Sequence, residues 1–219
     1  MALAALGGNA AELLLTTSQE VRHAFEVHFA KNIHNISKIS GVKKGDVRID
    51  FEDGCSRIQN KNGGGCTRGW SANRAPVDSY TALLPEESRR DFTTLLHNVC
   101  LKKGFQRPEV IQPKDFIAQL ILGNDPENAP THFTHTKVVD GSISELSILP
   151  ASEFIEWLSA QAFQTFRPAR TCVHLSPQIY LQRKGGDGPS ERRPDQIQLK
   201  IKELPPMKCI FKNTIQQQA

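Results

Sequence analysis

Apolar and polar positions alternate most strictly over residues 46–62, DVRIDFEDGCSRIQNKN. Val47, Ile49 and Phe51 interleave with Asp46, Arg48 and Asp50, the period of two that marks a strand with one buried face. Asp53-Gly54 predicts a two-residue hairpin loop, because such loops ask for positive φ. Ser56–Lys61 reads as the returning strand. With Asp53 and Gly54 as the loop, Asp46 lies across from Lys61 and Arg48 across from Gln59. Opposed residues share a face, so Asp46, Gln59 and Lys61 are expected at the open end of one hairpin. Gly63, Gly64 and Gly65 then break the pattern and read as a loop, one that lets the backbone come close to a ligand. Arg68, Trp70 and Arg74 follow in that loop.

Helical spacing covers residues 10–34 (Leu13, Leu14, Val21, Phe25, Phe29), with Ser18 as a cap inside. LPEESRRDFTTLLHNVCLKKG, residues 84–104, opens on Pro85, Glu86 and Glu87 and closes on Lys102, Lys103 and Gly104. Those ends suit a helix dipole and a stop. Residues 112–125 predict a shorter helix, and 150–163 another, with Phe154, Trp157 and Leu158 on one face. HFTHTKVV (132–139) predicts a strand with a turn at Asp140-Gly141. Towards the C-terminus RTCVHLS, IYLQRKG and DQIQLKIKEL read as three β-runs, the last two separated by the polar loop GGDGPSERRP. Residues 213–219 read as a frayed end. Strands and helices interleave without strict βαβ order, which predicts an α/β fold with a mixed sheet.

Composition changes the picture in three places. At 219 residues with 38% hydrophobic content the chain can bury a substantial core. No apolar run approaches the ~20 residues of a membrane span. The apolar start MALAALGGNAAELLL lacks a basic region and holds Glu12, so it reads as a helix rather than a secretion signal. Five cysteines without CxxC spacing argue for reduced thiols in a cytoplasmic protein and against zinc. His132 and His135 stand three apart on a strand, which puts them on opposite faces and argues against a metal pair. Net charge is only +4, yet residues 167–202 hold eight Lys/Arg against three Asp/Glu, a local +5 that leaves −1 for the rest. A concentrated positive region suits a polyanionic partner.

Candidate chemistry gathers at the two ends of the chain. In VHLSPQIYLQRKGGDGPSERRPDQIQLKIK, Tyr180 and Gln182 alternate with Leu181 before Arg183-Lys184, Gly185 and Gly186, and Arg192-Arg193 precede the next strand. Gln and Arg can each bind a base edge twice, Lys suits phosphate, and paired glycines permit close approach to a duplex. This stretch resembles the C-terminal part of type II restriction endonucleases of the PD-(D/E)XK superfamily, in particular the HinP-type group that cuts within GCGC. GVKKGD resembles the family's turn into a catalytic Asp, here Asp46. IQNKN resembles its QxK motif, here Gln59 and Lys61, and TRGW its aromatic wedge, here Trp70. Order and spacing agree along most of residues 40–202, while 100–165 offer little to match.

The resemblance implies one endonuclease domain over 1–219, with a central mixed β-sheet flanked by helices. Residues 1–80 would form the N-terminal helix, catalytic hairpin and DNA loop, 81–165 a helical middle, and 166–205 the basic recognition strands. It implies Mg²⁺ as cofactor, held by Asp46, Gln59 and the carbonyl of Asn60, with Lys61 beside the attacked phosphate. Whether a second metal binds, with Glu12 or Glu20 of the first helix to assist it, is left open by the sequence. Arg68, Trp70, Arg74, Gln182, Arg183, Lys184, Gly185, Gly186, Arg192 and Arg193 would contact double-stranded DNA, Arg183 reading guanine and Lys184 holding phosphate. A homodimer is compatible with it, and a cognate DNA methyltransferase is expected in the same system without being a stable subunit. A non-catalytic nucleic-acid-binding protein and an RNA-processing nuclease are the competing readings.

Overall fold

The computed structural model describes residues 2–39, 46–62, 70–82, 86–100, 113–123, 126–161, 167–169, 172–183 and 196–213. Two compact units divide the chain. The first takes Met1–Thr67, Glu127–Phe154 and Pro206–Ala219, and the second Arg68–Pro126 and Ile155–Pro205.

The first unit is built on a six-stranded sheet. Helices α1 (Ala2–Thr17) and α2 (Gln19–Phe29) precede β1 (Ile33–Lys38), β2 (Val47–Phe51) and β3 (Gly54–Asn62). The same sheet later takes β5 (His132–Val139), β6 (Ser142–Pro150) and β11 (Lys208–Lys212), in the order β1-β2-β3-β5-β6-β11. All neighbours are antiparallel except β3 and β5, so the sheet is mixed, as its sequence predicts. The predicted 10–34 helix is two helices. Ser18 stands at the break with extended φ and ψ, and its hydroxyl oxygen accepts the Val21 N–H at 3.3 Å, capping α2. The helix ends at Ala30, which is left-handed at φ 53°, so 33–34 belong to β1 rather than to the helix.

The hairpin forms with a shifted register. Phe51 pairs with Gly54 and Val47 with Ile58, so the loop is Glu52-Asp53 and Gly54 opens β3. Gly54 takes φ 149°, a conformation that favours glycine. Arg48 therefore faces Arg57 rather than Gln59, and Asp46 is not across from Lys61. The slip is two residues, which leaves every side chain on its expected face. At Asp140-Gly141 both φ values are positive, 49° and 74°, and Val139 pairs with Ser142. This is the type I′ turn that the dipeptide predicts.

Val47, Ile49, Phe51 and Ile58 pack with Leu15, Val21 and Phe25 of the two helices. Phe133 meets Phe154 edge-on, with centroids 4.7 Å apart.

The second unit holds a five-stranded antiparallel sheet in the order β4-β10-β9-β8-β7. Its strands are β4 (Trp70–Pro76), β7 (Arg167–Ala169), β8 (Cys172–His174), β9 (Ile179–Arg183) and β10 (Gln196–Ile201). Helices α3 (Val77–Thr81), α4 (Glu86–Cys100) and α5 (Pro113–Leu122) belong to it, and α6 (Ala151–Gln161) begins before its last segment. The alternation in β9 and β10 is resolved cleanly. Ile179, Leu181, Ile197, Leu199 and Ile201 are buried, while Tyr180, Gln182, Gln198 and Lys200 are half-exposed.

Residues 70–76, read from the sequence as part of a loop, form β4. Their partner is β10, more than a hundred residues away, and local sequence carries no trace of such pairing. Nor does the local pattern predict β1, β6, β7, β11 or α3. No helix among the described residues is long and apolar enough to cross a membrane.

Candidate active site in the first unit

β3 outruns β2. β2 begins at Val47, opposite Ile58, whereas β3 continues to Asn62. Beyond Ile58 the strand has β5 as its one neighbour among the described residues, Gln59 pairing with Phe133 and Lys61 with His135. Asp46 sits at the vacated edge. Its backbone N–H donates to the Ile58 carbonyl at 2.8 Å, and its Oδ2 accepts the Asn60 backbone N–H at 2.7 Å. In an extended strand the N–H and C=O of one residue point to the same edge, so the Asn60 carbonyl is directed towards Asp46 as well.

The three successive residues of β3 divide their work. The Asn60 side chain is buried, and its Oδ1 accepts the hydroxyls of Thr134 at 2.9 Å and Thr136 at 3.3 Å. That double anchor fixes β3 to β5 and the backbone of Asn60 with it. Gln59 and Lys61 project from the opposite face. Gln59 is buried to 8% exposure, yet its Oε1 has no hydrogen-bond partner among the described residues. A buried carbonyl oxygen left unpaired costs about 1–3 kcal/mol, so this one is available to a ligand.

Charge around the edge is mixed and strongly felt. Burial raises the Asp46 carboxyl above its ordinary range, against the lowering pull of Lys61 and the Asn60 N–H. Burial lowers the Lys61 ammonium, against the opposing pull of Asp46 and Glu12. Glu12 from α1 therefore lies within electrostatic reach of both, and it is ion-paired with Lys38 of β1. Both residues also act on Asp46. Of the two helix carboxylates considered from sequence, Glu12 comes to the site. Glu20 stands in the first turn of α2, where it accepts the Ser18 hydroxyl at 2.7 Å. Lys38 went unnoticed, since nothing in its neighbourhood along the chain links it to Asp46.

The donor set fits an oxygen-seeking divalent cation. It offers the Asp46 carboxylate, the unpaired Gln59 amide oxygen and the Asn60 carbonyl, all hard oxygens. No group of three or more His, Cys, Asp or Glu stands ready for a metal among the described residues. His132 and His135 do not join it as a pair. His132 packs against Phe29 with centroids 5.1 Å apart, and it faces His28 at 6.4 Å.

The expected DNA-contacting residues lie in the second unit or outside the described residues. Trp70 and Arg74 lie on β4, Arg74 across from Gln198, and their side chains are not among those described. Arg68, Lys184, Gly185, Gly186, Arg192 and Arg193 lie outside the described residues. Gln182 is half-exposed and paired with Gln198 and Cys172. Arg183, on which guanine readout was expected, is the inward-facing one of the two. It is 8% exposed, and its guanidinium donates to the Cys100 carbonyl at the end of α4, at 3.2 Å.

No protein-family profile matches the chain, and no curated protein matches it. Among solved structures, the chain is similar to the restriction endonuclease MspI in complex with its cognate DNA, at 13% identity and a TM-score of 0.48, over 83% of this chain and 75% of that one.

Proposed function

We propose that this protein is a Mg²⁺-dependent endonuclease that hydrolyses phosphodiester bonds in double-stranded DNA, as a type II restriction enzyme does. The observation that carries the reading is the convergence, at one strand edge, of Asp46, the buried oxygen of Gln59 that has no partner among the described residues, and Lys61, whose charge acts on Asp46. A protein that only binds nucleic acid has no use for that trio.

Asp46, Gln59 and the Asn60 carbonyl would hold the cation. When bound, Mg²⁺ supplies a Lewis acid that stabilises phosphate charge and lowers the pKa of a bound water. The chain's own groups do the rest. The Asn60 N–H orients the Asp46 carboxylate through one oxygen and leaves the other to face the site. The Thr134 and Thr136 hydroxyls keep that N–H in place through the Asn60 side chain. Lys61 presents its positive charge where negative charge grows on the attacked phosphate, and its partial burial strengthens that effect. Glu12, neutralised in part by Lys38, tempers the field around Lys61.

The basic C-terminal strands support a DNA partner. A short GC-rich palindrome such as GCGC is the proposed target, and Gln182, Lys184, Arg192 and Arg193 are the residues proposed to contact it. The test is incubation of unmethylated supercoiled plasmid and of structured RNA with Mg²⁺. Discrete DNA fragments with ends at one short palindrome are expected. Asp46→Asn and Lys61→Ala should each lower cleavage by several orders of magnitude while duplex binding persists. Wild-type cleavage by Asp46→Asn overturns the assignment. Degradation of RNA alone replaces it with an RNA nuclease, and binding without cleavage of either substrate leaves only a binding protein.

A further inference from the structure

The half-exposed face of the second unit's sheet carries a cysteine in an environment that none of the above uses. Cys172 and His174 stand two apart on β8 and so project to the same side, with Sγ 3.7 Å from the His174 Nε2. Tyr180 of β9 is Cα partner to His174, and their rings stack with centroids 5.2 Å apart at 28°. An aromatic face beside an imidazole favours its protonated form. Lys200 of β10 is in register with Tyr180, and the Lys202 ammonium lies 6.0 Å from the same ring. Strands β7 to β10 contain no Asp or Glu at all. Cys172 is half-exposed rather than sealed in the core.

We propose that Cys172 is a reactive thiol, with His174 as its base, that forms a mixed disulfide with small-molecule disulfides such as oxidised glutathione. The His174 Nε2 takes the proton from Sγ. The Cys172 thiolate then attacks one sulfur of the incoming disulfide, the old S–S bond breaks as the new one forms, and the departing thiolate carries off the electron pair. One disulfide is consumed and one is made, so no further oxidant is needed. Cys172 is Cα partner to Gln182, so the attached group sits beside the strand expected to face DNA. The chemistry of the thiol does not depend on the nuclease reading.

Exposure alone predicts the opposite order of reactivity, which makes the test internal to the molecule. Cys209 on β11 is the more exposed thiol, and its S–H donates to the Phe211 carbonyl at 3.4 Å. Lowering a thiol pKa from about 8.5 to about 7 raises the thiolate share at pH 7 by about 15-fold. The accompanying loss of nucleophilicity takes back about fivefold, leaving a net gain of about threefold. The intact protein is treated with oxidised glutathione, and the modified sites are followed over time by peptide mass mapping. Cys172 should react at least about threefold faster than Cys209 at pH 7. Its rate should rise no more than about twofold between pH 7 and 8, whereas in His174→Gln it should fall to or below the Cys209 rate and climb about eightfold, as a thiol of pKa about 8.5 does. Faster modification of Cys209 in the wild-type protein overturns the proposal, and so does an unchanged Cys172 rate in a folded His174→Gln variant. The wild-type ranking decides the matter even where that variant does not fold.

Discussion

Gln59 carries the sharpest conflict between stability and activity in this chain. Its buried Oε1 lacks a partner among the described residues, so replacing the amide by an apolar side chain of similar shape removes a cost. Gln59→Leu should raise the urea midpoint by the equivalent of about 1 kcal/mol while cleavage disappears. A variant both less stable and fully active would show that the oxygen binds nothing. His132 makes a second prediction, one of pH. Burial, then the nearby His28, push it down to about 4, so it is neutral when folded and takes up a proton when unfolded below about pH 6.5. Stability is therefore fully present above that value and is lost as pH falls towards 4. The loss should be about 1–2 kcal/mol once partial exposure is allowed for. Denaturation curves between pH 7 and 4 measure it, and His132→Phe should flatten the dependence. Arg183 makes a third. Since its guanidinium is buried and donates to the Cys100 carbonyl, Arg183→Ala should lower the melting temperature by several degrees. Unchanged melting with relaxed base preference would return the residue to a reading role.

Turns and caps are the elements most legible along the chain, because their chemistry is local. Ser18 as a cap and Asp140-Gly141 as a turn follow from one or two residues each, and both form. Gly141 stands at φ 74° with open space where a Cβ would be. Gly141→Ala should therefore cost about 1 kcal/mol through backbone strain alone, measurable as a lower urea midpoint, whereas crowding would raise the figure well beyond that. The hairpin loop stands one residue earlier than the Asp53-Gly54 dipeptide predicts. Glycine opens β3 instead of closing the loop, and the register moved by two with it. Because side chains alternate with a period of two, Gln59 and Lys61 stayed together on their face despite the slip. What the slip changed is the partner. Asp46 meets the Asn60 N–H instead of standing across from Lys61. The predicted 112–125 and 150–163 helices form within a few residues of their expected ends, since their apolar spacing outlasts any uncertainty in capping.

Taken as a polyanion-binding molecule, the protein should show binding that weakens steeply with salt. Each phosphate neutralised contributes about −0.9 to the slope of log K against log salt concentration. A fluorescence-anisotropy titration of duplex DNA at several salt concentrations should give a slope of about −3 or steeper, given the +5 carried by residues 167–202. A slope near zero would remove the electrostatic basis of the reading.

Local pattern sufficed for the mixed α/β class, the hairpin, the side of the strand on which Gln59 and Lys61 stand, and the positive bias of the C-terminal strands. Each of these depends on residues a few positions apart, whose spacing sets their face or their charge. The rest came from contacts between distant segments. β4 is a strand only because β10 pairs with it, and the end of β3 meets Asp46 only because β2 pairing stops at Ile58 while β5, some seventy residues on, takes the other side. Thr134 and Thr136 hold Asn60, Glu12 and Lys38 reach Asp46, and α4 draws Arg183 inward. Hydrogen bonds and burial at such separations leave no periodicity in the chain, so only folding brings these partners together.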